Sequence, residues 1–136
     1  MKILIADDKS ENTYLLEKLL QGNGYDTVSA FNGLDALKRA LEDPPNLIVT
    51  DILMPVMDGF TLCREWKKNE ILQNIPFIFY TATYTDPKDE EFALSLGADR
   101  FLVKPLDMTQ LLRVIEETIG TTMIAKMTPA ANIPIP

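Results

Sequence analysis

Five short apolar runs alternate with five longer amphipathic segments along this chain of 136 residues. The runs are continuous and rich in β-branched residues, as expected for strands of a parallel sheet that helices cover on both faces. Strands are predicted at residues 3–6, 27–30, 47–50, 77–80 and 101–103, and helices at 10–21, 33–42, 61–69, 87–96 and 108–119. Short right-handed crossovers between such units predict an α/β fold, in which a five-stranded parallel sheet lies between two layers of helices.

The regular pattern stops after Gly120. Residues 121–136 show no helical period, and three of the last eight residues are proline. We therefore predict one domain over residues 1–120 and an irregular, proline-rich tail or linker over residues 121–136.

Composition excludes several classes of function. A net charge of −7 leaves no basic footprint for direct nucleic-acid binding, and no apolar run approaches the roughly 20 residues of a membrane span. The first ten residues lack the pattern of a secretory signal, and the single Cys63 cannot form an intramolecular disulfide, so we expect a cytoplasmic protein. The chain contains no histidine, which excludes Ser-His and Cys-His catalysis and leaves any histidine chemistry to a partner.

Three acidic residues follow predicted strands: Asp7 and Asp8 come after the first, and Asp51 after the third. The carboxyl ends of neighbouring parallel strands meet at one edge of the sheet, where open α/β folds bind ligands. Such a cluster of like charges needs a counterion, and its hard oxygen atoms suit Mg²⁺. A carboxylate beside the metal could also attack a phosphoryl group. Taken alone, each acid has a plainer interpretation as a helix cap or part of a solvated turn.

A hydroxyl and an amine are predicted at the same edge, because Thr81 follows the fourth strand and Lys104 the fifth. Singly, they could be a β-branched residue at a strand end and an ordinary surface lysine. Their coincidence with the carboxylates favours a phosphoryl-transfer site.

These residues lie in motifs that resemble the receiver domain of two-component response regulators. The motifs are DD at 7–8, DILMPVMDG at 51–59, TA at 81–82 and KP at 104–105, and their spacing is similar to that of the family. The resemblance covers about residues 1–119. It implies a flavodoxin-like, doubly wound (βα)5 sandwich with strand order 2-1-3-4-5.

The resemblance also implies a role for each acidic residue. Asp51 would be the phosphoacceptor. Mg²⁺ or Mn²⁺ would be held by Asp8, Asp51 and the backbone carbonyl of Leu53, with Asp7 acting largely through water. In the loop that follows, Gly59 is expected to adopt a backbone conformation open mainly to glycine.

The remaining site residues would bind the phosphoryl group or respond to it. Lys104 would pair with the phosphoacceptor at rest and with a phosphoryl oxygen afterward, placed by a cis bond before Pro105. Thr81 would donate its hydroxyl to the phosphoryl group, beside space left by Ala82. Phe101 would be a second switch position, although it could equally well only pack the last strand.

The implied function is that of a signalling receiver rather than an enzyme, catalysing only its own phosphorylation and dephosphorylation. The donor would be a sensor histidine kinase or a histidine phosphotransfer protein. Phosphorylation would change the surface of the fourth helix, fifth strand and fifth helix. That surface would bind a downstream protein, a fused output domain or a second copy of the chain, with no contact to nucleic acid or membrane.

Two alternative functions have different sequence requirements. A Mg²⁺-dependent aspartyl-phosphate phosphatase of the haloacid dehalogenase type would use an aspartate nucleophile, but it typically has a second acid two residues later, where this chain has Leu53. A flavodoxin-like nucleotide binder would need a phosphate loop rich in Gly, Ser and Thr after the first strand, where this chain has Asp7 and Asp8.

Overall fold

The computed structural model describes residues 1–131, with side chains through residue 123. Strands and helices alternate as the sequence predicts. The strands are β1 (Lys2–Ala6), β2 (Asp26–Ala30), β3 (Leu47–Thr50), β4 (Phe77–Thr81) and β5 (Arg100–Val103), and the helices are α1 (Ser10–Gln21), α2 (Gly33–Glu42), α3 (Gly59–Lys68), α4 (Pro87–Ser95) and α5 (Met108–Ala131).

The strands form one parallel sheet in the order β2-β1-β3-β4-β5, which confirms the predicted fold class and strand order. The order reverses direction between β1 and β3, because β2 lies on one side of β1 and the later strands lie on the other. At such a point the loops that follow the two central strands diverge to opposite faces and leave a crevice.

Two hydrophobic cores fill the space between the sheet and its helices. One contains Trp66 of α3 and the other contains Leu111 and Ile115 of α5. The Trp66 indole N–H donates to the Ile75 carbonyl at 3.1 Å, so its one polar atom is satisfied within the core. Cys63 lies in the same core, and burial raises the pKa of its thiol to about 12. Both residues pack the core.

Helix α5 is longer than predicted. It runs from Met108 to Ala131, whereas the sequence pattern predicted an end near residue 119. Residues 121–128 contain neither glycine nor proline, so each adds a hydrogen bond to an existing helix at a propensity cost of about 0.7 kcal/mol or less. Hydroxyls of Thr118 and Thr122 bond carbonyls four residues earlier, at 2.7 and 3.0 Å. The prediction of irregular chain was therefore wrong for residues 121–131. Residues 132–136 lie outside the described part, and the domain boundary at residue 120 stays a prediction.

None of the helices within residues 1–131 combines the length and apolarity that crossing a membrane requires.

Candidate functional site

The strand register brings the predicted site residues together. Ala6 pairs with Thr50 across β1 and β3, so the residues that follow them, Asp7 and Asp51, lie side by side. Thr81 pairs with Val103 across β4 and β5, which places Lys104 next to the end of β4. Parallel strands end at the same edge, so residues far apart in sequence become neighbours.

Asp7 is buried, and both of its carboxylate oxygens accept hydrogen bonds. Its Oδ1 accepts the backbone N–H of Lys9 at 2.9 Å, and its Oδ2 accepts the Asn12 side-chain amide at 3.1 Å and the Lys104 ammonium at 2.8 Å. Asn12 lies in the first turn of α1, where the sequence analysis assigned no role. One sequence pattern could have identified Asn12: an acidic residue ends a strand, and a polar residue follows in the first turn of the next helix.

Lys104 connects the buried carboxylate of Asp7 with the half-buried carboxylate of Asp51. Its Nζ lies 2.8 Å from Asp7 Oδ2 and 3.1 Å from Asp51 Oδ2. Burial by itself lowers the pKa of Lys104, but the hydrogen bond and charge of Asp7, followed by those of Asp51, outweigh it and hold the pKa above its ordinary value of 10.5. The bond between Lys104 and Pro105 is cis, as predicted.

Replacing Lys104 by methionine is expected to lower the free energy of unfolding at neutral pH by about 2 kcal/mol, because the two carboxylates lose their shared cation. A lysine whose pKa is raised on folding contributes stability that is fully present below its unfolded-state pKa and is lost as pH rises through its folded-state pKa. The difference between wild type and Lys104→Met should therefore be constant from about pH 7 to about pH 9 and shrink above about pH 10.5. Urea titrations across this pH range measure the difference in the free energy of unfolding. If that difference stays unchanged above about pH 10.5, Lys104 is not the stabilising cation shared by Asp7 and Asp51.

A cavity of about 350 Å³ adjoins the Asp51–Lys104 pair. Asp8, Leu53 and Ala82 line it together with that pair, and all three of these residues are exposed. Asp7 instead borders a second cavity, of about 220 Å³, on the other side of Lys104. The sheet edge thus combines an open space with a half-buried carboxylate, a cation and an exposed carboxylate.

The carboxylates do not form a tight cluster of three. Within residues 1–131, no three acidic or cysteine side chains stand close enough together to bind a metal ion. Asp7 does not line the 350 Å³ cavity, and its oxygens accept hydrogen bonds from Lys9, Asn12 and Lys104. The oxygen donors that line the cavity include Asp8, Asp51, Glu11 and the loop containing Leu53, a set of hard oxygen atoms that fits a cation retaining several waters.

Thr81 is fully buried, and its hydroxyl is hydrogen-bonded to Thr83. Its Oγ1 lies 2.9 Å from the Thr83 carbonyl and 3.1 Å from the Thr83 hydroxyl, and it accepts the Thr83 backbone N–H at 3.1 Å. In this arrangement the hydroxyl is bound within its own loop. Thr83 itself lines the cavity.

Phe101 is half-buried and packs against Phe79, with ring centroids 6.2 Å apart. It borders neither cavity. Its role as a switch stays a prediction.

Gly59 is required for a reason other than the predicted one. It is the first residue of α3 and has no left-handed backbone; in this loop Val56 has the positive φ, at 70°. A Cβ on Gly59 would stand 2.4 Å from the Asp51 carbonyl oxygen and 2.8 Å from the Ile52 Cα. The missing side chain lets helix α3 closely approach the loop that follows β3, and the Gly59 N–H donates to the Ile52 carbonyl at 2.7 Å.

The family model of the response regulator receiver domain matches residues 3–116. The chain belongs to this family. The receiver is similar to curated response regulators, with 34% identity over 128 residues to the alkaline phosphatase synthesis transcriptional regulatory protein PhoP of Bacillus subtilis, covering 91% of this chain and 50% of PhoP. It is 39% identical over 111 residues to the response regulator PleD of Caulobacter vibrioides, covering 81% of this chain and 24% of PleD. The chain thus spans half or less of the length of these relatives.

Solved receivers have the same fold. The receiver domain protein of Methanospirillum hungatei superposes with a TM-score of 0.85 at 27% identity, covering 91% of this chain and 97% of that one. The receiver domain of the sensor histidine kinase PA1611 of Pseudomonas aeruginosa gives a TM-score of 0.80 at 29% identity, covering 88% of this chain and 97% of that one. That structure has a magnesium ion coordinated in its active site cleft.

Proposed function

We propose that this receiver accepts a phosphoryl group on Asp51 from a histidine of a partner protein, in a reaction that depends on Mg²⁺. The observation that carries the proposal is the Asp51 carboxylate at the side of an open cavity, 3.1 Å from the Lys104 ammonium, with Asp8 facing the same space. Two carboxylates and a cation thus border one volume large enough for a phosphoryl group, which supports Asp51 as the nucleophile.

The metal would be held by Asp8, Asp51 and the Leu53 carbonyl, with Mn²⁺ as a substitute. When bound, it would neutralise charge on the phosphoryl oxygens. Asp7 would contribute negative charge and a contact through water, because both of its oxygens are already hydrogen-bonded. The presence of magnesium in the PA1611 receiver supports this assignment.

In the transfer, an Asp51 carboxylate oxygen attacks phosphorus as the N–P bond of the donor phosphohistidine breaks, and the imidazole leaves with the bonding electron pair. Lys104 then exchanges its contact with Asp51 for one with a phosphoryl oxygen. Exposed Ala82 leaves room beside the new group. The donor histidine must belong to a sensor histidine kinase or a histidine phosphotransfer protein, since this chain contains none.

The response to phosphorylation would begin at Thr81. Its hydroxyl must leave Thr83 in order to donate to the phosphoryl group, and the loop between β4 and α4 would move with it. We propose that this movement changes the surface formed by α4, β5 and α5, with Phe101 following by steric contact. A downstream protein, a fused output domain or a second copy of the chain would recognise the changed surface.

The proposal also covers the output of the receiver and its location in the cell, which are inferred from the relatives and from the sequence. The names of PhoP and of similar transcriptional regulators favour an output on transcription through a further domain or partner. The single cysteine favours the cytoplasm. The phosphatase alternative gains no support, because the position two residues after Asp51 is the exposed Leu53 rather than an acid.

The proposal is tested by incubating the protein with Mg²⁺ and acetyl phosphate and recording its intact mass. We expect a gain of one phosphoryl group, abolished by a chelator. Reduction of the acyl phosphate with borohydride, followed by peptide mapping, should locate the group at Asp51. Stable labelling of a different residue, or no labelling in the presence of Mg²⁺, would contradict the proposal.

A further inference from the structure

Tyr80, near the end of β4, contacts the segment that carries Lys104 at two points. The Lys104 Nζ lies over the tyrosine ring, 5.2 Å from its centroid. The Tyr80 hydroxyl oxygen accepts the backbone N–H of Leu106 at 3.3 Å. One half-buried side chain thus supports both the ammonium and the backbone two residues beyond it.

Lys104 stands between two cavities. It lines the 350 Å³ cavity beside Asp51 and also the 220 Å³ cavity, which Tyr80 lines together with apolar residues such as Leu16 and Leu111. The four-carbon chain of a lysine side chain is flexible, so its ammonium can occupy more than one position. The Tyr80 ring occupies space toward which the ammonium could otherwise withdraw, and a smaller residue would enlarge the second cavity.

We propose that Tyr80 is a positioning residue for phosphoryl transfer, which holds the Lys104 ammonium toward Asp51 through its ring and steadies the Lys104–Leu106 backbone through its hydroxyl. This inference rests on the proposed function, since Lys104 matters to the chemistry only if Asp51 accepts the phosphoryl group. A cation over an aromatic face is attracted by the ring quadrupole, most strongly where water is excluded. The ring therefore acts through Lys104 without touching the reacting atoms.

The kinetic test compares Tyr80→Leu and Tyr80→Phe with wild type, using acetyl phosphate and Mg²⁺ so that no protein partner is needed. Tyr80→Leu should slow phosphorylation of Asp51 about tenfold, because it removes the ring and the hydroxyl. Tyr80→Phe keeps the ring and should slow it only about twofold. The control is Tyr14→Leu, which removes a similar ring beneath Lys18 on α1, where Nζ lies 5.3 Å from the centroid. Its rate should equal that of wild type.

A double-mutant cycle separates positioning from a general loss of structure. In a Lys104→Ala background, Tyr80→Leu should cause no further slowing, because the group through which Tyr80 acts is gone. A full tenfold effect in that background would overturn the proposal.

An NMR measurement tests the geometry without phosphoryl transfer. The ε-methylene protons of Lys104 should be shifted upfield by the Tyr80 ring in wild type and in Tyr80→Phe, and should return to ordinary positions in Tyr80→Leu. An unshifted Lys104 in wild type overturns the proposal even if Tyr80→Leu fails to fold. If wild type shows the shift but takes up no phosphoryl group, the proposed function has failed while the contact stands.

Discussion

Replacing Asp51 by asparagine is expected to abolish phosphoryl uptake, with labelling from acetyl phosphate falling to the background of the mass measurement. The amide is nearly the same size as the carboxylate but cannot form an acyl phosphate, because it lacks the anionic oxygen that attacks phosphorus. The fold should persist. An asparagine Oδ1 can still accept the Ile52 N–H, which the aspartate accepts at 2.6 Å, and Lys104 keeps its bond to Asp7.

The matched control is Asp58→Asn, in the same loop. Asp58 caps helix α3, with its Oδ1 accepting the Thr61 N–H at 2.8 Å, and asparagine caps helices about as well as aspartate. This variant removes one carboxylate next to the site without touching the proposed nucleophile, and it should be labelled like wild type. If Asp51→Asn is labelled like wild type, or if both variants lose labelling to the same extent, Asp51 is not the phosphoacceptor.

Replacing Gly59 by alanine is expected to destabilise the protein by about 3 kcal/mol, a large effect for one added methyl group. The new Cβ would meet backbone rather than a flexible side chain, at 2.4 Å from the Asp51 carbonyl oxygen and 2.8 Å from the Ile52 Cα. Neither atom can move without shifting the end of β3 or the start of α3. Because the displaced residue is Asp51 itself, phosphorylation of the folded fraction should also become slower.

Gly120→Ala is the control for that substitution. Gly120 lies within helix α5, and a Cβ there would have no neighbour within 4 Å, so alanine should stabilise the protein by about 0.5–1 kcal/mol through helix propensity. Urea titration of both variants measures the two effects. If Gly59→Ala is as stable as wild type, the close approach of α3 to the loop that follows β3 does not limit the stability of this protein.

The placement of Asp51 beside Lys104 could be predicted because it depends on two regular features of the chain. Apolar runs predicted which segments are parallel strands, and the carboxyl ends of such strands share an edge. The observed register then brings together residues separated by 53 positions in sequence. The same reasoning placed Asp8 at this edge, while the resemblance to receivers implied the space beside Ala82 and the cis bond before Pro105, which is observed.

Other features depended on contacts that no local pattern encodes. Asp7 was expected to act on a metal largely through water, which stays a prediction; its hydrogen bonds from Asn12 and Lys104 were not predicted, since a buried carboxylate takes the donors that the packing supplies. The extension of α5 past residue 119 agrees with helix cooperativity, since residues 121–128 contain neither glycine nor proline and can each add a hydrogen bond to the existing helix.

By itself, the sequence determined the alternation of strands and helices and the edge of the sheet at which the acids, the hydroxyl and the amine collect, because hydrophobic periodicity and chain direction are local properties. Only the tertiary structure decided which oxygen the lysine contacts, that the Thr81 hydroxyl rests on Thr83, that Tyr80 lies beneath the ammonium, and that Gly59 is needed for space rather than for its backbone angle. These are distances between atoms on different elements, and they are set when the elements pack against one another at the density of a folded core.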